Sequence, residues 1–295
     1  MRNVAFFVIS LFAYTLSAQV QSVDGGMTAY RKIVKDDCGS ASLLAFYKIS
    51  FLKDSTQRSR YSEAQCVLQI SDSFLCFGDY YQLMADSLET EFVRSRKSRT
   101  EKNMNMWEQA INKLAFQTKV LTDLSSLKIR VQLFTGLRDY EYSAPQPTLK
   151  WNLIAGDSVI NDVSCKKATC RYAGRNYEAW YAESLPMPYG PYVFCGLPGL
   201  IMKIQDVKGN WIFTNNGISK AHSCKDIYLY KKGFISGNVI ITTRAKALEA
   251  LRNETENLSN LIIESADIKV MKNGTWVSPE TNKPRKQSNL IELEW

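Results

Sequence analysis

The chain has 295 residues, a formal net charge of +8 and 45% hydrophobic residues. That length and apolar fraction suit one large or two small folded domains and exclude a wholly disordered chain. A single histidine among the 295 residues weighs against a His-based metal site and leaves any Ser-His-Asp or Cys-His arrangement with one base to use.

The first residues read as a leader. Met1-Arg2-Asn3 is a short positive region, Val4 to Leu16 is apolar apart from Ser10 and Thr15, and Ser17-Ala18 supplies small residues before Gln19. The apolar stretch is well short of the roughly 20 residues a spanning helix needs, so residues 1–18 are expected to be a signal peptide cleaved after Ala18. A lipoprotein would carry Cys where Gln19 stands. No later segment reads as a membrane span, so a soluble or peripheral mature chain is expected.

Strand patterns follow. They cover Leu43 to Phe51, Gln65 to Ile70, Phe74 to Leu83, Lys128 to Thr135, Lys150 to Leu153, Val163 to Tyr172 and Arg175 to Glu183. Tyr192 to Cys195, Ile201 to Val207, Trp211 to Asn215 and Val239 to Thr243 complete the series. Turn residues such as Gly156-Asp157, Gly174 and Gly209-Asn210 separate them. Short strands at this spacing predict a mainly β fold, an antiparallel meander curled into a half-barrel or sandwich. Two covering helices are expected. One is capped by Thr100 and runs from Glu101 to Leu114; the other starts at Thr242 or Thr243 and carries Ala245, Leu248 and Leu251. Residues 19–270 read as one β-rich domain, and residues 271–295 as a partly disordered tail.

Two runs concentrate positive charge: Arg94, Arg96, Lys97, Arg99 and Lys102, then Lys283, Arg285 and Lys286. No aromatic residues interleave the first run, so it reads as a solvated face, and no nucleic-acid partner is expected. Export would permit disulfides among the seven cysteines. Ser71-Asp72-Ser73 reads as a hairpin turn, and a turn centred near Ser71 sets Cys66 roughly opposite Cys76, the best local disulfide candidate. Two buried thiols are the alternative.

Catalytic motifs are absent from the sequence: no Gly-x-Ser-x-Gly, no Cys-x-x-Cys, no His-x-x-x-His, no phosphate loop and no dinucleotide fingerprint. Cys224 lies two residues from His222, too far along a strand for a working pair. The carboxylates of Glu178 and Glu183 have no evident partner in the sequence. No catalytic residue, metal or cofactor is expected, and the chain reads as a non-enzyme.

Aromatic side chains crowd one stretch: Tyr172, Tyr177, Trp180, Tyr181, Tyr189, Tyr192 and Phe194. Core packing is their first reading and an aromatic-walled groove the second. Beside them lies an apolar turn, Gly196-Leu197-Pro198-Gly199-Leu200-Ile201. Pro198 sets φ for the first central position of a type II turn, and Gly199 would supply the positive φ of the second. With Leu and Ile flanks, this turn is either a buried staple or an apolar lip.

Together these segments resemble the GLPGLI family of exported bacterial proteins. The resemblance rests on Val67-Leu68-Gln69-Ile70 with Asp86-Ser87, read as a strand pair, and on Trp151 and Cys165-Lys166-Lys167-Ala168. Gly174-Arg175, Ala179-Trp180-Tyr181, Leu185-Pro186, Gly190-Pro191-Tyr192, the hexamer Gly196 to Ile201 and Asp206 continue it. It covers roughly residues 43–215; Cys170, Cys195 and the helical stretch near 101–115 depart from it. It implies an exported β-rich protein of a Gram-negative envelope, periplasmic or outer-membrane-associated, and an association with outer-membrane transporters.

The resulting expectation is an exported binding or accessory protein that takes a hydrophobic ligand or envelope partner. Leu197, Pro198, Gly199, Leu200, Ile201, Tyr192, Trp180 and Tyr181 would line the site. The alternatives are an enzyme with an unrecognised carboxylate or cysteine site and a purely structural envelope protein. Burial of Leu197, Leu200 and Ile201 would favour the staple, and exposure beside a cavity would favour binding. N-terminal sequencing of protein recovered from the envelope fraction is expected to begin at Gln19; a chain still beginning at Met1 refutes the cleavage.

Overall fold

The computed structural model of the chain describes residues 33–95, 101–135, 137–232, 237–265, 270–272, 275–277 and 288–294. The expected leader, Arg96, Lys97, Arg99, the Thr100 cap and the basic residues 283–286 lie outside the described residues.

The fold is mainly β, as expected. One 12-stranded sheet dominates and is not closed into a barrel. Its first half is a meander of β2 (Leu43–Leu52), β3 (Tyr61–Ile70), β4 (Phe74–Asp79), β5 (Thr118–Asp123), β6 (Lys128–Phe134) and β7 (Asp139–Pro145). Its second half runs β8 (Asn152–Ile160), β9 (Val163–Tyr172), β10 (Arg175–Ala182), β11 (Leu200–Asp206) and β12 (Trp211–Lys220). The halves join where β12 pairs antiparallel with β2. The two-residue strand β14 (Ile240–Ile241) closes one edge, parallel to β7. The opposite edge is β8, with Leu153, Ile154 and Val159 exposed. A separate ribbon pairs β1 (Lys35–Ser40) with β13 (Asp226–Tyr230), and β15 (Val270–Lys272) pairs with β16 (Thr275–Val277).

Both faces of the sheet are apolar where they are covered, so alternate residues serve two cores. Ala45, Tyr47, Ile49, Cys66, Leu68, Leu75, Phe77 and Val120 face the main core. Their neighbours Leu44, Val67, Cys76 and Leu121 face a second cluster, completed by Leu83 and by Ile227 to Tyr230 of β13.

Three helices are described rather than the two expected. The pattern that reads as a strand to Leu83 stops at Asp79, and α1 (Tyr80–Ser95) begins there. Asp79 is the cause. Its Oδ1 accepts the amide N–H of Tyr81 at 2.8 Å, capping the new helix. Its Oδ2 accepts the N–H groups of Ala115 and Phe116 at 3.0 Å each, tying the return of the chain to the same point. Asp86-Ser87, expected in a strand, therefore lies in α1. It packs on α2 (Glu101–Asn112), which ends two residues before the expected Leu114. The third helix, α3 (Arg244–Ser265), starts from Thr243, whose Oγ1 accepts the N–H of Lys246.

The β3–β4 hairpin turns where expected, but its register differs. Ile70 pairs with Leu75, Gln69 with Cys76 and Cys66 with Asp79. The turn is centred between Asp72 and Ser73, not on Ser71, which moves the pairing by three positions. An odd shift also changes the face. Cys66 lies in the main core and Cys76 in the second cluster, so the expected Cys66–Cys76 bridge is excluded, and both are free thiols.

Part of the tail packs on the domain. Within 271–295, residues Asn289, Ile291 and Glu292 are buried against the main core. Arg175 holds this segment. Its guanidinium donates to the carbonyls of Ile291 and Leu290, to Asn289 Oδ1 and to Asp206 Oδ2. Asp206 is completed by the Trp211 amide and the Asn210 side chain, each at 2.8 Å. Glu292, fully buried, accepts from Tyr172 and Tyr192 and pairs with Arg244.

Arg175→Met should strand the Asp206 carboxylate and three acceptors of the tail in a dry interior. The expected loss is about 3–5 kcal/mol, read by urea unfolding. Residues 288–294 should also become accessible to carboxypeptidase at urea concentrations where the wild type resists it. A variant as stable as the wild type refutes this role.

Candidate functional site

The apolar hexamer is a staple. Leu197, Leu200 and Ile201 are each 1% exposed or less, and Tyr181 and Tyr192 are buried beside them in the main core. Only Gly196 and Pro198 of the turn reach solvent. The loop from Glu183 to Gly199 is tied down by its own backbone: Leu200 N–H donates to Leu185 at 2.9 Å, Ile201 to Tyr189 at 2.9 Å and Gly196 to Pro188 at 2.9 Å. Tyr47 Oη donates to the Ile201 carbonyl at 2.8 Å from across the core.

Trp180 is only partly buried against this group. Tyr177, Ala179 and Tyr181 face the main core, while Trp180 points to the other face of β10, half-buried between Lys167 and Lys203. The expected lip of eight residues is therefore not a surface: five are core, Trp180 lies on the opposite face, and Pro198 and the backbone of Gly199 form the turn itself.

The glycine argument also moves. Gly196, not Gly199, has the positive φ, +91°. Gly199 is required by proximity: a Cβ there would stand 2.0 Å from the Ala182 carbonyl oxygen. The hexamer is thus a place where two backbones touch, and only glycine permits it.

The other residues weighed from the sequence are dispersed. His222 is exposed after β12. Glu178 pairs with Lys167 at 2.8 Å and Glu183 with Lys166 at 2.7 Å, both near the surface. No helix among the described residues is long and apolar enough to cross a membrane.

A cavity of about 160 Å³ lies on the second face of the sheet instead. Val67 and Gln69 of β3, Cys76 and Gly78 of β4, and Lys119 of β5 form its floor. Leu83 and Gln82 of α1 and the chain from Leu114 to Thr118 form its walls, with Phe134 and Thr135 at the far side. Most of this lining is apolar. Asp79, Gln69, Gln82, Gln117, Lys119 and Thr135 supply its polar part.

Lys119 is the unusual group. It is 6% exposed, yet no hydrogen bond or ion pair joins its Nζ to another described residue. The Nζ stands 3.7 Å from the ring centroid of Tyr228 and 4.9 Å from that of Tyr230. Burial pushes the Lys119 ammonium below its usual range; the charges of Cys76 and Asp86 oppose the shift, and Lys35 adds to it. Asp86, buried in α1, accepts from Gln82 at 3.0 Å and from both Tyr228 and Tyr230. Burial pushes its carboxyl above the usual carboxylate range, against the pull of Lys119 and the three donors.

The sequence pattern missed this site for a physical reason. Lys119 sits in a strand that the hydrophobic alternation did not single out. Asp86 occupies an inward position of α1, whose buried residues Leu83, Asp86, Glu89 and Phe92 recur every three residues but are half polar.

Against known proteins, residues 160–203 match a family model described as "Protein of unknown function (Porph_ging)". The match takes in β9, β10 and the whole stapled turn and ends inside β11. No curated protein matches the chain. Two solved structures of PNGF-II, in the C2 and P21 space groups, are similar to it at a TM-score of 0.45 and 11% identity. Each likeness covers 72% of this chain and 33% of the PNGF-II chain, so this chain spans about a third of their length.

Two glycine variants distinguish the causes. Gly196→Ala meets only Trp151, at 3.8 Å, and should cost roughly 1–2 kcal/mol for the left-handed backbone. Gly199→Ala forces two backbones apart and should cost more, at or above the upper end of the roughly 1–3 kcal/mol typical of overpacking. Equal melting temperatures for the two would refute the close-approach reading.

Proposed function

We propose that this chain is an exported binding protein of a bacterial envelope, and that its ligand site is the cavity between α1 and the β3–β5 floor. The leader-like residues 1–18 and the family resemblance support export. One observation supports the site: a largely apolar cavity carries a buried lysine, Lys119, in its lining. Apolar walls with a few polar groups are the composition of small-molecule pockets. The ligand is a compact, largely apolar molecule with one oxygen-bearing head directed at Lys119. A cavity near 150 Å³ in an unrelated engineered protein takes a molecule the size of benzene, which sets the scale.

The binding activity moves to the second face because the first is filled. On the main-core face, the hexamer and the tail residues Asn289 to Glu292 occupy the space that an aromatic-walled groove would need. The hexamer then serves as a folding device, and an outer-membrane transporter remains a partner only by the family resemblance.

Gly78→Val supplies the test. A Cβ at Gly78 meets only Lys119 Cγ at 3.4 Å and its Cβ and Cα beyond, so the variant should fold with its added methyls in the cavity. Thermal melts of the full chain with benzoate, benzyl alcohol and benzaldehyde should show a saturable rise for at least one of them, and none in Gly78→Val. No rise in the wild type with any of the three, or an equal rise in the variant, refutes the reading.

A further inference from the structure

We propose that β8 is an assembly edge, along which two copies of this chain pair antiparallel about a two-fold axis. A free sheet edge carries a row of unpaired N–H and C=O groups and is a template for another strand. The two edges of the large sheet differ. β14 closes one along β7, whereas among the described residues no strand lies beyond β8. Leu153, Ile154 and Val159 are 62%, 41% and 70% exposed there. Large apolar side chains gathered on one open edge mark a contact surface rather than a solvated one.

The order of residues along the strand selects a second copy as the occupant. Two arms, Trp151 to Ile154 and Asp157 to Ile160, flank a bulge at Ala155 and Gly156, where Gly156 has a φ of +143°. In the first arm Leu153 lies opposite Ala168 of the main core, and Trp151 packs on that core. In the second, Ser158 lies opposite core Cys165, and Ile160 packs on the core. Asn152, Ile154, Asp157 and Val159 alternate with these and take the other face. An antiparallel partner must set each residue opposite one on the same face. A two-fold axis at the bulge does this for both arms at once: Trp151 comes opposite Ile160 of the second copy, Asn152 opposite Val159, Leu153 opposite Ser158 and Ile154 opposite Asp157. Residues that share a face share a hydrogen-bonding direction, so the same register satisfies the backbone. A bulge bends a strand away from a regular partner, but here the two bulges meet each other. A slip of one residue sets core-side residues against solvent-side ones. Charge agrees with this register. Lys150 and Asp162 are exposed and form no ion pair among the described residues. Lys150 comes to the Asn161–Asp162 turn of the second copy, and the symmetry repeats that contact.

Sedimentation of the full chain should show a monomer–dimer equilibrium between micromolar and millimolar concentrations. Asn152 and Val159 are both exposed. They stand roughly 23 Å apart within one copy at the usual strand rise, yet opposite each other between copies. Asn152→Lys combined with Val159→Lys places like charges opposite each other twice and should weaken the dimer about tenfold or more. Asn152→Lys combined with Val159→Asp places opposite charges there and should restore it. Thermal melts check that both variants fold. As a second measurement, Ala155→Cys lies next to the axis, and diamide should join it to a second copy about tenfold faster than exposed Val207→Cys. A wild type that stays monomeric throughout, or equal cross-linking rates, overturns the proposal. A dimer untouched by the double lysine variant lies elsewhere and overturns it too. A lysine–aspartate variant as monomeric as the double lysine variant overturns the register.

Discussion

The main core depends on one buried ion pair. Arg175 and Asp206 are each less than 5% exposed and stand 3.2 Å apart. Two charges removed from water are tolerated only when every remaining donor and acceptor is also met. Here the guanidinium fork has four distinct acceptors and the carboxylate three donors. Three of these acceptors come from the chain's C-terminal segment, so the charge that β10 buries can be fully satisfied only if that segment is in place. Asn289 then reaches on to the Leu52 carbonyl at 2.7 Å, and the Trp211 indole donates to Asn289 at 3.2 Å. A single arginine thus joins β10, β11, β12, β2 and the tail.

Around that pair the main-core face is filled by stacked and edge-on rings: Phe51 on Trp211 at 4.8 Å, Tyr177 on Phe194 at 4.7 Å, and Phe77 among Tyr47, Phe116 and Phe213. Such pairs add to the hydrophobic burial of each ring. The stapled turn closes one side of this core and Glu292, with its tyrosines and Arg244, closes another. The result is a face with its polar groups organised for rigidity.

The second face is built differently. The β1–β13 ribbon and α1 cover it, and it relies on isolated polar bridges: Gln69 to the carbonyls of Cys224 and Asp226, and Gln132 to Tyr230 and Glu141. Gln69 and Gln132 each join the sheet to the covering ribbon, and Gln132 also holds Glu141 of the neighbouring strand β7. Between α1 and the β3–β5 strands the packing leaves the cavity, with Lys119 in its lining. The main-core face is filled, whereas the second face keeps a cavity with Lys119 in its lining, and that asymmetry separates scaffold from site.

The hydrophobic alternation by itself determined the fold class. Period-two burial in Tyr177, Ala179 and Tyr181 reads directly from the chain, because a strand between core and solvent must alternate. The start of α3 was legible in its threonines, since an unsatisfied amide needs a hydroxyl or carboxylate cap whatever surrounds it. Local pattern failed wherever a residue's role depends on something distant in sequence. Asp79 ends a strand because it must serve Ala115 and Phe116; Cys66 misses Cys76 because the turn centre sets the register; Gly199 is glycine because Ala182 lies against it. The tail reads as polar and charged, yet Glu292 and Asn289 are buried, because their partners Arg175, Tyr192 and Arg244 lie 114, 100 and 48 residues away in the chain. Lys119 reads as one more strand lysine. Only the tertiary structure brings Tyr228, Tyr230 and Asp86 around it, since burial is not a property of any residue alone.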